Sequence, residues 1–144
     1  ERGSFLNLPA ENNKDSIIDD INFVNGGFSS IQMNGQEVYK FAVREVPLIL
    51  DKLFRKTNYC ANDVDWLVLH QANQRILDSV GERLKIPKGK ILSNLKNYGN
   101  TSAATIPLMM DEAIRNNRIK QNDIIATSGF GAGLSWGAAL IKWG

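Results

Sequence analysis

The chain has 144 residues, 43% of them hydrophobic and 22% charged, which is the length and balance of one ordinary globular domain. A net charge of +2 gives no argument for nucleic acid, and no apolar run nears the roughly 20 residues that cross a bilayer. One cysteine, Cys60, excludes an internal disulfide, so a cytoplasmic protein with neither membrane nor nucleic-acid partner is expected.

The opening "ERGSFLNLPAENNKD" lacks an initiator Met and is rich in polar, turn-forming residues. It reads as a loop entered from upstream, and the chain as a piece of a longer protein. Residues 1–35 carry short apolar or alternating stretches ("FLNL", "SIIDDINFV", "SSIQM") separated by Gly26-Gly27 and asparagines, which predict extended segments and loops. From Gln36 the period changes. Ala42, Val46, Ile49, Leu50 and Leu53 predict a helix to about Thr57, bent or broken at Pro47 because proline has no amide donor. Asn62-Asp63 marks a turn, and "DWLVLH" a short buried strand that ends on the only histidine, His70. "QANQRILDSVGERL" reads as a helix with Ile76, Leu77, Val80 and Leu84 on one face. "IPKGKILSN" follows as a loop with a possible short strand.

"TSAATIPLMMDEAIRNN" is a further helix, entered through Gly99 and Asn100, with Pro107 making its early turns irregular. "DIIATSGF" and "LSWGAALIKW" are two strands joined by "GAG" in a hairpin. The order strand, helix, short strand, helix, strand, strand is an α/β layered pattern.

Three stretches can carry chemistry. His70 stands at the carboxyl end of a strand, where ligands gather in open α/β sheets; a histidine that merely finishes a strand is the plainer alternative. A helix starting at Gln71 would hold its positive end beside the ring and favour neutral imidazole, a donor toward developing negative charge. In "NYGNTSAAT" Asn100 is a second neutral donor or an ordinary helix N-cap, with Gly99 allowing close backbone approach. "SGFGAGLSWG" has neither the Lys-Ser/Thr nor the helix of a phosphate loop. It is a tight hairpin or a bend whose N–H groups face an oxyanion.

"HQANQRI", "YGNTSAA" and "GFGAGLSWG", in this order, together with "MNGQEVYKFAV", resemble the C-terminal half of β-ketoacyl-acyl carrier protein synthase III, the chain-initiating condensing enzyme of fatty-acid synthesis. The resemblance covers nearly the whole chain and is weakest over residues 1–30. It implies one half of a thiolase-like layered fold, a mixed β-sheet with packed helices, and a homodimer when complete. It also implies decarboxylative Claisen condensation between an acyl group from acyl-CoA and malonyl-acyl carrier protein, with no cofactor and no metal. Of the family's Cys-His-Asn set, His70 and Asn100 match the histidine and asparagine. The nucleophilic cysteine belongs to the missing N-terminal half, and Cys60, in a polar turn, does not match it. Ala132 matches the amide of a second oxyanion site; many members have glycine there, and positive φ would strain alanine.

The resemblance further places Asn73, Met33, Gly35 and Phe130 against coenzyme A or substrate. It assigns acyl carrier protein to Gln71, Ala72, Asn73, Gln74, Arg75 and Lys40. From Arg75 to Lys96 there are six basic residues against two acidic ones, which suits an acidic carrier or a solvated helix face. Two other readings stay open: a related acyltransferase of secondary metabolism, and a noncatalytic carrier-binding module. The second has no use for His70 and Asn100.

Overall fold

The computed structural model describes residues 33–144 throughout and, before them, the backbone of Leu6–Asn7, Ala10–Asn13, Asn25–Phe28 and Gln32–Met33. The chain divides into two units, residues 1–38 with 131–135, and residues 39–130 with 136–144.

In the first unit, β1 (Leu6–Asn7) and β4 (Gln32–Met33) pair antiparallel, as do β2 (Ala10–Asn13) and β3 (Asn25–Phe28). Gly26-Gly27, expected to separate strands, lies inside β3, where Gly27 faces Glu11 and Gly26 faces Asn12. Backbone pairing makes this strand, and pairing needs no side chain. "SIIDDINFV" lies outside the described residues.

The second unit holds most of α1 (Gly35–Thr57), whose start is capped in the first by the Asn34 side chain accepting from the Glu37 N–H at 3.2 Å. Ala42, Val46, Leu50 and Phe54 recur every fourth residue and are all buried, so one stripe of the helix faces the core. That stripe continues on both sides of Pro47, and the helix is not broken there. Proline removes one internal hydrogen bond, and the packing of 23 residues outweighs it.

After a turn at Ala61–Asp63 comes β5 (Trp66–Leu69), then α2 (Gln74–Leu84). Helix α2 starts three residues later than the apolar pattern indicated, because the Asn73 side chain accepts from the Arg75 N–H at 2.8 Å and sets the first turn there. The possible strand after Pro87 reduces to one parallel bridge, Leu67 with Ile91, and a bond from Leu92 N–H to Leu67 O of 3.0 Å. A single turn, α3 (Leu95–Tyr98), leads to Gly99. Next come a 3-10 turn at Ser102–Ala104 and α4 (Thr105–Arg115), in which Pro107 is the third residue, where no helical partner awaits its missing N–H.

Strands β6 (Ile124–Gly131) and β7 (Ser135–Lys142) complete a three-stranded sheet in the order β5-β6-β7, their short turn being Ala132, Gly133 and Leu134. β5 and β6 run parallel, in register from Trp66 opposite Ile125 to Leu69 opposite Ser128. Side chains alternate across the sheet. Leu67, Leu69 and Ala126 pack with the buried faces of α1 and α2, whereas Val68 and Ile125 pack with Met109 and Ala113 of α4. Helices thus cover both faces, as the layered pattern anticipated.

Candidate active site

Period-two alternation decides which way the histidine points. Val68 faces α4, so His70, two residues on, faces α4 as well. Its backbone N–H extends the ladder to Ser128 O at 2.9 Å, and its ring Nδ1 lies 2.6 Å from Thr105 Oγ1 at the start of α4. The ring meets Phe130 edge to face, with centroids 5.2 Å apart, and Phe130 in turn packs against Phe41 of α1. Half-buried among these groups, His70 has its pKa lowered, and burial is the cause. The helix start expected to do this lies at Gln74, four residues away, and burial is the cause that lowers the pKa.

Asn100 is exposed, and its Oδ1 accepts from the Ser102 N–H at 2.9 Å. Asn100 caps no helix, contrary to the capping expectation: Thr101 precedes the 3-10 turn and Ala104 precedes α4, and the Asn100 oxygen is engaged in a local turn that leaves its NH₂ as the remaining group. Gly99 turns the backbone here with φ 66° and ψ −153°, a conformation that side chains disfavour.

Gln71, assigned to a carrier protein, lies fully buried and offers no surface. Its Nε2 donates to Leu69 O at 2.7 Å and to Leu92 O at 3.3 Å, and its Oε1 accepts from the Asn94 N–H at 3.2 Å. Asn94 Nδ2 reaches Glu112 Oε2 of α4 at 3.0 Å. Gln71 is a brace between the end of β5, which carries His70, and the segment that leads to Asn100. Strand alternation alone predicts burial on the face opposite His70, which is the signal sequence reading passed over.

Ala72 is half-buried against the core, and Asn73 caps α2. Gln74 bonds Asp78 at 3.0 Å and accepts from Ser93 at 2.8 Å. Arg75 is exposed and stacks its guanidinium 5.2 Å from the centre of the Tyr39 ring, and Tyr39 shares a 2.9 Å hydrogen bond with Ser79. Lys40 is exposed on α1. Arg83 lines a groove with Tyr39, Val43, Ser79 and Glu82.

Met33, Gly35 and Ala132 belong to the first unit, and all three are exposed. Ala132 does not take positive φ; Gly133 does, at 133°, so the strain foreseen for alanine falls on the neighbouring glycine. Cys60 is exposed at the start of the turn Ala61–Asp63. Among the described residues no helix is long and apolar enough to cross a membrane.

The family model 3-oxoacyl-[acyl-carrier-protein (ACP)] synthase III C terminal matches residues 54–143, most of the chain and every part of it that holds His70, Asn100 and the hairpin turn. The chain belongs to this family. A beta-ketoacyl-[acyl-carrier-protein] synthase III of Prochlorococcus marinus (strain MIT 9312) is 86% identical over all 144 residues, and the chain spans 43% of that relative's length. The crystal structure of 3-oxoacyl-[acyl-carrier-protein] synthase III from Aquifex aeolicus VF5 superposes with a TM-score of 0.77 at 34% identity, over 97% of this chain and 44% of that one. The priming β-ketosynthase of the R1128 polyketide biosynthetic pathway gives 0.74 at 30% identity, over 79% of this chain and 34% of that one. The layered sheet is accordingly one half of the thiolase-like fold of the synthase III family. Within that fold, His70 and Asn100 follow two successive segments joined by Gln71.

Proposed function

We propose that this chain forms the C-terminal catalytic half of a decarboxylating condensing enzyme that joins an acyl group from acyl-CoA to malonyl-acyl carrier protein and so initiates fatty-acid synthesis. The observation that carries the reading is the pair of neutral donors. A half-buried imidazole is held through Nδ1, and a carboxamide is held through Oδ1. The imidazole has Nε2 and the carboxamide its NH₂ left to offer, and burial favours the uncharged imidazole.

The chemistry needs that pair. When malonyl thioester loses carbon dioxide, the C–C electron pair moves toward the thioester oxygen as an enolate. Two N–H donors from His70 and Asn100 stabilise the charge, and the carbanion then attacks the acyl group on a cysteine. Cys60 does not serve as that nucleophile, and the thiol comes from the N-terminal half. The amide of Ala132 serves the second oxyanion, at the acyl-enzyme carbonyl. Phe130 packs edge to face on the imidazole and holds its ring. Asn73, Met33 and Gly35 line the coenzyme A entrance. Arg75 and Lys40 meet the acidic carrier protein, which steers encounter more than it adds affinity. Docking alone would use neither His70 nor Asn100. The whole enzyme acts as a cytoplasmic homodimer.

The likeness to the polyketide priming synthase favours one second reading, the same condensation with a different primer in secondary metabolism. The two are separated by offering the full-length protein a series of acyl-CoA primers.

The test is malonyl-carrier decarboxylation by the full-length enzyme. His70→Ala and Asn100→Ala should each slow it by about 10²–10³-fold. The double variant should lose less than the product of the two, since both serve one oxygen. Acyl transfer to cysteine should survive better than decarboxylation. Equal loss in both half-reactions would make the pair structural and overturn the reading.

A further inference from the structure

His70 can donate from Nε2 while neutral only if Nδ1 carries no proton, and nothing in the ring itself enforces that choice. The neighbour of Nδ1 is Thr105 Oγ1 at 2.6 Å, 2% exposed and therefore without water to exchange partners with. The Thr105 hydroxyl has one proton and two acceptors within reach, His70 Nδ1 and Ser102 O, the latter at 3.0 Å. Ser102 O already accepts from the Thr105 backbone N–H. Nδ1 makes no other hydrogen bond among the described residues. The shorter contact, 2.6 Å to Nδ1 against 3.0 Å to a carbonyl that already accepts a hydrogen bond, favours Nδ1 as the acceptor; the opposite arrangement, Nδ1–H to Oγ1 and the hydroxyl to Ser102 O, pairs the same groups, and the spectra below distinguish the two.

We infer that Thr105 is a positioning residue for His70: its hydroxyl donates to Nδ1, which locks the imidazole in the tautomer with Nε2–H and points that donor at the reacting oxygen. The inference rests on the proposed role of His70 in decarboxylation and adds the group that makes the role available. The placement of Thr105 is itself legible in the fold. Thr105, Met109 and Ala113 form the buried stripe of α4, so the hydroxyl is the one polar group on the face turned to the sheet.

The test compares Thr105→Val, which keeps the shape and removes the hydroxyl, with Thr105→Ser, which restores it, in the full-length enzyme. Thr105→Val should lower malonyl-carrier decarboxylation about tenfold, the upper end for one hydrogen bond, and leave acyl transfer to cysteine within about threefold. Thr105→Ser should return decarboxylation to within about threefold of the parent.

Nitrogen-15 spectra of the histidine-labelled enzyme, with the His70 signals assigned by their loss in His70→Ala, supply a readout that a packing defect would not mimic. The parent should show a pyrrole-type Nε2 and a pyridine-type Nδ1 shifted upfield by its hydrogen bond, and that shift should vanish in Thr105→Val and return in Thr105→Ser. A parent enzyme with the proton on Nδ1, or Thr105→Val with parental decarboxylation, overturns the inference. His70→Ala keeps the two questions apart. If it decarboxylates normally, the role of His70 fails; if it is impaired while Thr105→Val is not, only the role of Thr105 fails.

Discussion

Gln71→Leu removes the polar pairing at the centre of the site's scaffold while keeping the side chain's volume. In the structure the amide makes one short bond to Leu69 O, a longer one to Leu92 O, and accepts from Asn94 N–H, all of them buried. The two donated bonds are worth about 1 kcal/mol each or less, and the Asn94 N–H left without a partner costs about 1–3 kcal/mol. Leucine recovers about 1 kcal/mol through its larger apolar burial. The expected net loss is about 1–4 kcal/mol, read as a lowered urea midpoint of the full-length protein.

Gln71→Glu sharpens the test. A carboxylate would face two carbonyl oxygens with no donor to offer, so burial and repulsion should raise its folded pKa above the unfolded value of about 4.3. The sign follows: the folded state then holds the proton more tightly. The deficit should be smallest below the unfolded pKa and grow as pH rises through the folded one. A Gln71→Leu protein within about 0.5 kcal/mol of the parent, or a Gln71→Glu deficit independent of pH, would refute the brace.

At Gly81 of α2 an added Cβ would collide with Ile91 Cδ1. Gly81→Ala therefore gains about 1 kcal/mol of helix propensity and loses about 1–3 by overpacking, and Ile91→Val should relieve the loss in a double-mutant cycle read by urea unfolding. Arg75→Glu should raise the KM for malonyl-carrier protein and flatten its salt dependence, with Lys88→Glu as the comparison; equal effects of the two would redraw the docking surface. His70 has a folded pKa below its ordinary value, so the unfolded chain takes up a proton first as pH falls through 6.5, and stability drops in that direction. His70→Gln should make unfolding midpoints less sensitive to pH between about 7 and 5, measured by urea titration at each pH.

The elements that one residue pattern decides were legible in the sequence. The stripe from Ala42 to Phe54, the strand ending on His70 and the final hairpin are set by apolar period and turn residues alone. The three motifs likewise pointed to His70 and Asn100. What escaped was set by tertiary partners. The start of α2 depends on whether Asn73 or an earlier residue wins the cap, and composition does not rank them. Pro47 looked like a breaker because the buried packing on either side of it is a property of the folded core. Gln71 read as a surface residue because glutamine usually is one; only the fate of the backbone groups around Leu92 and Asn94 shows why it is buried. Thr105 needed the other end of its hydrogen bond, 35 residues away.

Neighbours His70 and Gln71 face opposite sides at the end of a four-residue strand, one half-buried toward the start of α4, the other wholly inside against the α1 and α2 side. That makes β5 intolerant of changes in length. Inserting or deleting one residue between Trp66 and His70 would exchange the two positions, driving the imidazole to the α1 and α2 face and the braced amide to the α4 face. Length variation should instead be absorbed at Asn58–Asp63 and at Asn116–Asp123, the connections before β5 and before β6, where the chain can grow without altering which face any strand residue presents. Engineered insertions or tags belong at those two places.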